Sequence, residues 1–322
     1  MQAGQTNTLL DVAGLRVGQA HDVAVKTGVS IIVPARPALC SVDVRGGGPG
    51  TREISALQDG GLIDRVHGIS LSGGSVYGLG AADRLTALLG ARRQGYVASQ
   101  TMDVPVSPIV PSAILFDNAN GGDKNWGDHP PYGDLAEAAF AALDAPLSLG
   151  RAGAGFGATA GLYAGGMGSA SEIVGDVTIG ALIAANPIGS PYMPGTDCPW
   201  AWAYEMDGEF GARRPPKDFI FSPANDTKLE TVKHGGQSTV IGVVAVNAAL
   251  SQKQLKRLAI MAQDGISMAV QPSHTPLDGD TIFALSMGDV PCEGPVHMSR
   301  LGAAAARVVA RALMRGVYEA SL

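Results

Sequence analysis

The segment Thr239-Val-Ile-Gly-Val-Val-Ala-Val246 carries no polar side chain after its first residue. A strand with one face in water alternates apolar and polar residues, so an unbroken apolar run rich in β-branched residues requires cover on both faces. Further candidate strands are Gly28–Val33, Ser41–Val44, Gly68–Leu71, Ser112–Phe116, Val177–Ala184 and Thr281–Ser286, all rich in Val, Ile or Leu and flanked by Gly, Pro or Asp. Several of these are also continuously apolar, which points to sheets covered on both faces. The clearest helix begins at Ser251, where Ser251 and Gln254 form a capping box and Leu250 and Leu255 are spaced for a hydrophobic staple. Leu255, Leu258, Ala259, Ala262 and Ile266 then repeat at helical spacing. Other helices are expected after Asp134, from Ser299 to about Arg315, and from about Ser75 to Leu89. No change of composition marks a linker, so residues 1–322 read as a single α/β domain.

Composition narrows the function. Only 16% of the residues are charged and the net charge is −6, which argues against a polyanion-binding surface. The 44 glycines cluster beside apolar runs, as tight turns and close packing require. Cys40, Cys198 and Cys292 are scattered and odd in number, so they read as core fillers rather than a disulfide framework or a zinc cluster. No apolar run reaches about 18 residues and no signal segment opens the chain, so a cytoplasmic protein without membrane contact is expected.

Three short motifs carry possible chemistry. In Gly235-Gly-Gln-Ser-Thr239, a Ser-Thr pair stands between a Gly-Gly and the apolar strand. Thr is an ordinary strand opener. It is also a nucleophile when it becomes N-terminal, because its own α-amine, with an unperturbed pKa near 8, can then take the hydroxyl proton. That requires cleavage between Ser238 and Thr239, with Gly235 and Gly236 accommodating the internal attack. His274-Thr-Pro-Leu-Asp-Gly-Asp280 places Asp278 and Asp280 one residue apart before the last apolar strand. The pair can converge on one site, or form an Asp-Gly turn with one solvated carboxylate. Metal binding through His274, Asp278 and Asp280 is weaker, because no further ligand cluster accompanies them. Asn186 ends an apolar strand and precedes Pro187, where its amide can donate to an oxyanion or simply start a turn.

Other features invite function less. The Gly-rich runs Arg45–Arg52, Ser72–Gly78 and Gly150–Gly157 contain no phosphate-loop signature, although the first two can bring backbone N–H groups and Tyr77 to a site at strand ends. The remaining histidines lack metal spacing. Trp126, Trp200 and Trp202 sit among Pro, Gly and Asp as in ordered loops.

Taken together, these motifs resemble the L-aminopeptidase/D-esterase family of self-processing hydrolases, which includes β-aminopeptidases and the 6-aminohexanoate (nylon) oligomer hydrolase. The likeness runs from Asp11–Gly18 through Val42–Glu53, Ser72–Gly78, Asn120–Trp126, Gly153–Gly155, Gly166–Ser171 and the Thr239 strand to His274–Asp280. It implies a four-layer αββα sandwich cut into an α chain, 1–238, and a β chain, 239–322. It further implies Thr239 as nucleophile, Asn186 as oxyanion donor, Asp278 and Asp280 as the orienting pair, and Tyr77 lining the site. No cofactor or metal is implied. The substrate would be a small peptide or amide oligomer, and the assembly a homo-oligomer, with a tetramer favoured. Alternatives are an acyltransferase of ornithine acetyltransferase type, or a relative that does not process itself. Many relatives carry a lysine in the stretch matching Gly161–Gly166, where this chain has the uncharged Leu162 and Ala164.

Overall fold

The computed structural model describes residues 1–58, 61–223, 226–230 and 238–322. Its strands, in chain order, are β1 (Leu15–Asp22), β2 (Thr27–Pro34), β3 (Ala38–Val44), β4 (Gly50–Arg52), β5 (Arg65–Val66), β6 (Ile69–Ser72) and β7 (Ser112–Ile114). There follow β8 (Thr159–Ala160), β9 (Tyr163–Ala164), β10 (Gly166–Val174), β11 (Val177–Asn186), β12 (Thr239–Ala249) and β13 (Thr281–Pro291). The α-helices are α1 (Gly80–Gly90), α2 (Tyr132–Ala141), α3 (Gln252–Ala269) and α4 (Gly294–Ala320). One sheet has the order β1-β2-β6-β7-β4, a second has β10-β11-β12-β13-β3-β5, and β8-β9 form a small hairpin.

Side-chain parity along the strands builds the layers. On β12, Val240, Val244 and Val246 face a core shared with α3 and α4, whereas Ile241, Val243 and Ala245 face a second core. On β13, Ile282 and Ala284 take the first direction, and Phe283 and Leu285 the second. The second core also receives Val17, Ile32, Ile69, Leu71 and Ala113 from the other sheet, so it lies between the two sheets. A third core joins Val29, Ile31 and Val33 of β2 to Leu85 and Leu89 of α1 and Leu135 and Ala139 of α2. Three cores between four layers make an αββα sandwich. The continuous apolar runs therefore have a direct cause: each alternate residue fills a different core.

All the expected strands are present, but sequence periodicity underestimated the sheets. β10 pairs with β11 along its length. It reads Gly-Met-Gly-Ser-Ala-Ser-Glu-Ile-Val, and its small and polar residues hide it from a search for Val and Ile. The α3 capping box forms as the sequence indicates, with the Ser251 hydroxyl accepting from the Gln254 N–H. α2 starts at Tyr132 rather than after Asp134, and α4 extends beyond both expected ends. The helix expected from Ser75 begins as a 3-10 turn, Ser75–Leu79, before α1. Cys40 and Cys198 are buried as expected, while Cys292 is only partly so. No helix among the described residues is long and apolar enough to cross a membrane.

Candidate active site

Topology brings the three motifs together. β12 and β13 are parallel and joined by α3, so the residues entering β13 return to the end of the sheet where β12 begins. β11 runs antiparallel to β12 and ends at that same edge, with Asn186 opposite Thr239 in the ladder. β3, antiparallel to β13, also ends there, with Val44 opposite Thr281. Thr239, Asn186, Asp278–Asp280 and the Gly-rich run after β3 thus converge, although up to 235 positions separate them in sequence. Thr239 shares the parity of Ile241 and Val243, so its side chain belongs to the inter-sheet face. Thr239, Ser238, Asn186, Asp278 and Asp280 are each at most 3% exposed.

The Ser238–Thr239 peptide bond is held on several sides. The Thr239 hydroxyl donates to the Ser238 carbonyl at 2.5 Å, and the Gly279 N–H donates to the same oxygen at 2.8 Å. The Ser238 N–H donates to the Leu277 carbonyl at 3.0 Å. One residue further on, the Val240 N–H donates to Asp280 Oδ1 at 2.8 Å.

The two carboxylates have different tasks. Asp278 accepts from the Ile188 N–H through Oδ1, and from the Thr275 N–H and hydroxyl through Oδ2. Burial pushes its carboxyl above the usual range, and the neighbouring Asp280 charge adds to this, against the hydrogen bonds from Thr275 and Ile188. Asp280 anchors β12 through Val240 and binds His274 Nδ1 at 2.7 Å through its other oxygen. The Asp-Gly turn is therefore buried, not solvated. His274 belongs to this cluster as a partner of Asp280. Among the described residues no group of three His, Cys, Asp or Glu side chains is placed to hold a metal ion.

The turn depends on glycine at close quarters. The Gly48 N–H donates to the Asp278 carbonyl at 2.8 Å, and the Arg45 N–H to the Asp280 carbonyl at 2.9 Å. A Cβ on Gly46 would lie 2.2 Å from the Asp278 oxygen and 2.4 Å from the Asp280 nitrogen. The run after β3 is thus the backing of the Asp-Gly-Asp turn.

Asn186 Nδ2 donates to the Phe116 carbonyl at 3.0 Å, which ties the second sheet to the segment after β7. An amide nitrogen carries two hydrogens, and this bond uses one of them. Asn186 Oδ1 accepts from the Thr159 N–H at 3.0 Å and from Lys228 Nζ at 3.1 Å. Tyr77 is half exposed on the 3-10 turn, edge-on against Trp126. It reaches this region only through its loop, where the Gly74 N–H binds Asp117 next to Phe116; among the described residues no hydrogen bond joins it to Thr239.

Lys228 is the functional candidate that sequence reasoning missed. Its Nζ also lies 3.0 Å from Ser238 Oγ and 3.2 Å from the Asn186 carbonyl. Burial pushes its amine down to about 7, with the charge of Asp278 opposing. Leu162 N–H donates to the Asp226 carbonyl, Tyr163 and Ser190 hydroxyls donate to the Asp226 carboxylate, and Lys228 N–H donates to the Ile188 carbonyl. The segment carrying Lys228 is thereby laid beside the stretch 161–166 that lacks a lysine. The cation thus enters from a neighbouring segment, and no spacing in the sequence signals it. Gly235, Gly236 and His234, as well as Asn225, lie outside the described residues.

The relatives agree with this architecture. An uncharacterized aminopeptidase of Mycobacterium tuberculosis is 38% identical over 334 aligned positions, covering 98% of this chain and 94% of its own. A 6-aminohexanoate-oligomer endohydrolase of Paenarthrobacter ureafaciens is 30% identical, covering 89% of this chain and 77% of its own. Among solved structures, the L-aminopeptidase D-Ala-esterase/amidase of Ochrobactrum anthropi, described as a variant of the Ntn hydrolase fold, superposes with a TM-score of 0.74 at 21% identity, covering 98% of this chain and 86% of its own. A Burkholderia sp. β-aminopeptidase gives 0.71 at 22% identity, covering 98% and 87%. The family model of peptidase family S58 matches residues 7–322, and the chain belongs to that family of peptide-bond hydrolases.

Proposed function

We propose that the protein is a self-processing amide hydrolase in which Thr239 becomes N-terminal and then acts as the nucleophile on peptides or short amide oligomers. The observation that carries this reading is the Ser238 carbonyl oxygen, which receives both the Thr239 hydroxyl and the Gly279 N–H. A hydroxyl beside the carbonyl it is to attack, with a backbone donor already on the oxygen that gains charge, is the arrangement an acyl shift requires. In self-cleavage, Thr239 Oγ adds to the Ser238 carbonyl carbon, the C–N bond breaks, and the hydroxyl proton passes to the departing nitrogen. Water then hydrolyses the ester, leaving a Ser238 carboxylate and a free Thr239 amine. The products are the chains 1–238 and 239–322.

In turnover the Thr239 amine takes the hydroxyl proton, Oγ attacks the substrate carbonyl, and the proton passes to the leaving amine. Water releases the acyl group. Asn186 supplies its second amide hydrogen to the oxyanion, Asp280 holds the strand at Val240, and Asp278 fixes the turn that presents the Gly279 N–H. The names of the relatives, an aminopeptidase and an amide-oligomer endohydrolase, support amide substrates.

Denaturing electrophoresis and intact mass test this reading. The purified protein, 32.8 kDa uncut, should give fragments of roughly 24 and 9 kDa in proportion to chain length, the smaller beginning Thr-Val-Ile-Gly. Thr239→Ala should abolish both cutting and amide hydrolysis; turnover that persists in Thr239→Ala refutes the assignment.

A further inference from the structure

Each polar atom of Ser238 has a partner in the uncut chain: its N–H on the Leu277 carbonyl, its carbonyl on the Gly279 N–H, and its Oγ beside Lys228 Nζ at 3.0 Å. The residue is 1% exposed. Ser238 is also the acyl group of the first bond Thr239 would break. The ester on Thr239 Oγ formed in self-cleavage is of the same kind as the acyl-enzyme formed in turnover. The uncut chain therefore displays an occupied acyl subsite, and Ser238 is its first occupant.

We infer that Lys228 is the specificity residue of this subsite, and that the enzyme prefers a small acyl residue with an N–H on its α-carbon and a hydroxyl on its β-carbon, as in seryl amides. This rests on the proposed Thr239 nucleophile. The α-nitrogen replaces that of Ser238 on the Leu277 carbonyl, and the β-substituent replaces Oγ on Lys228. A lysyl or arginyl acyl group brings a cation toward the Lys228 amine and is rejected. A leucyl group puts apolar atoms against the amine and forfeits its hydrogen bond. Lys228 is fixed for this task by Asn186, which accepts from it through both the side-chain and backbone oxygens.

The test is a panel of aminoacyl p-nitroanilides with the cut enzyme: seryl, alanyl, leucyl and lysyl. The expected kcat/KM is at least tenfold higher for seryl than for leucyl and lysyl, and several-fold higher than for alanyl. In Lys228→Met the seryl-to-alanyl ratio should fall to near unity. A second measurement needs no Lys228 variant: Ser238→Ala should slow self-cleavage several-fold, because the scissile residue loses its side-chain anchor. A wild-type preference for leucyl or lysyl substrates, or an unchanged seryl-to-alanyl ratio in Lys228→Met, overturns the inference. The Thr239 reading is judged separately: p-nitroaniline released by wild type but not by Thr239→Ala upholds it whichever acyl group is preferred. Cut enzyme that releases nothing from any anilide overturns both.

Discussion

Gly279 lies between Asp278 and Asp280, and Gly279→Ala perturbs the geometry of the proposed attack with one carbon atom. A Cβ there would stand 2.8 Å from Thr239 Oγ1, 2.7 Å from the Gly48 carbonyl oxygen and 3.0 Å from Pro49 Cα. Each carbon–oxygen contact is about half an ångström too short, so something moves. Gly48 resists, because its N–H is bound to the Asp278 carbonyl and the adjacent Gly47 N–H to the Thr275 carbonyl. The softer coordinate is the Thr239 side-chain torsion, and turning it takes Oγ1 away from the Ser238 carbonyl. Overpacking of this kind costs about 1–3 kcal/mol, within the stability of an ordinary domain, so the variant folds. Displacing a reacting atom by about 1 Å costs on the order of 100-fold in rate. Cutting of Gly279→Ala, followed by denaturing electrophoresis over time, is therefore expected to be about 100-fold slower than in wild type. Gly48→Ala is the matched control: its Cβ would meet nothing closer than 3.6 Å, and it should cut at the wild-type rate. If Gly279→Ala cuts as fast as Gly48→Ala, the hydroxyl seen beside the Ser238 carbonyl is not the attacking group.

Two further expectations concern stability, measured by urea unfolding in the Thr239→Ala background, where the chain stays whole. Lys228 has an ordinary value of 10.5 and is pushed down to about 7 in the folded chain, so between these values the unfolded chain binds more protons and stability rises with pH. The rise is at most about 5 kcal/mol at 1.36 kcal/mol per pH unit, and Lys228→Met should lack it; parallel pH profiles for the two chains would contradict the assignment. Arg311, fully buried in α4, binds both oxygens of Glu209, the Ser171 carbonyl and Asn7 Oδ1. Arg311→Met strips the Glu209 carboxylate of its bidentate partner and should cost about 3–5 kcal/mol; a loss below about 1 kcal/mol would mean the ion pair is dispensable.

The sequence by itself determined that the central strands are covered on both faces. Unbroken apolar runs such as Val240–Val246 demand two buried faces, and the structure splits them residue by residue between two cores. Local signals were equally legible where the interaction is local: the Ser251–Gln254 box involves residues three apart and forms as written. Thr239, Asn186 and the Asp pair were visible as residue types suited to one chemistry, but nothing local said that they meet. Their meeting follows from the β12–α3–β13 crossover and from two antiparallel neighbours ending at the same edge, which is a property of strand order. β10 escaped notice because small residues leave no β-branched signature, although its pairing with β11 is complete. Lys228 was illegible for a stronger reason. A lysine in a polar stretch normally reads as a solvated charge. Only the packing of its segment along residues 161–163 and 187–190 turns this one inward to Asn186 and Ser238. The sequence named the candidate groups because chemistry fixes residue type, whereas tertiary structure chose which amine and which backbone N–H stand beside them, because those are selected by distance alone.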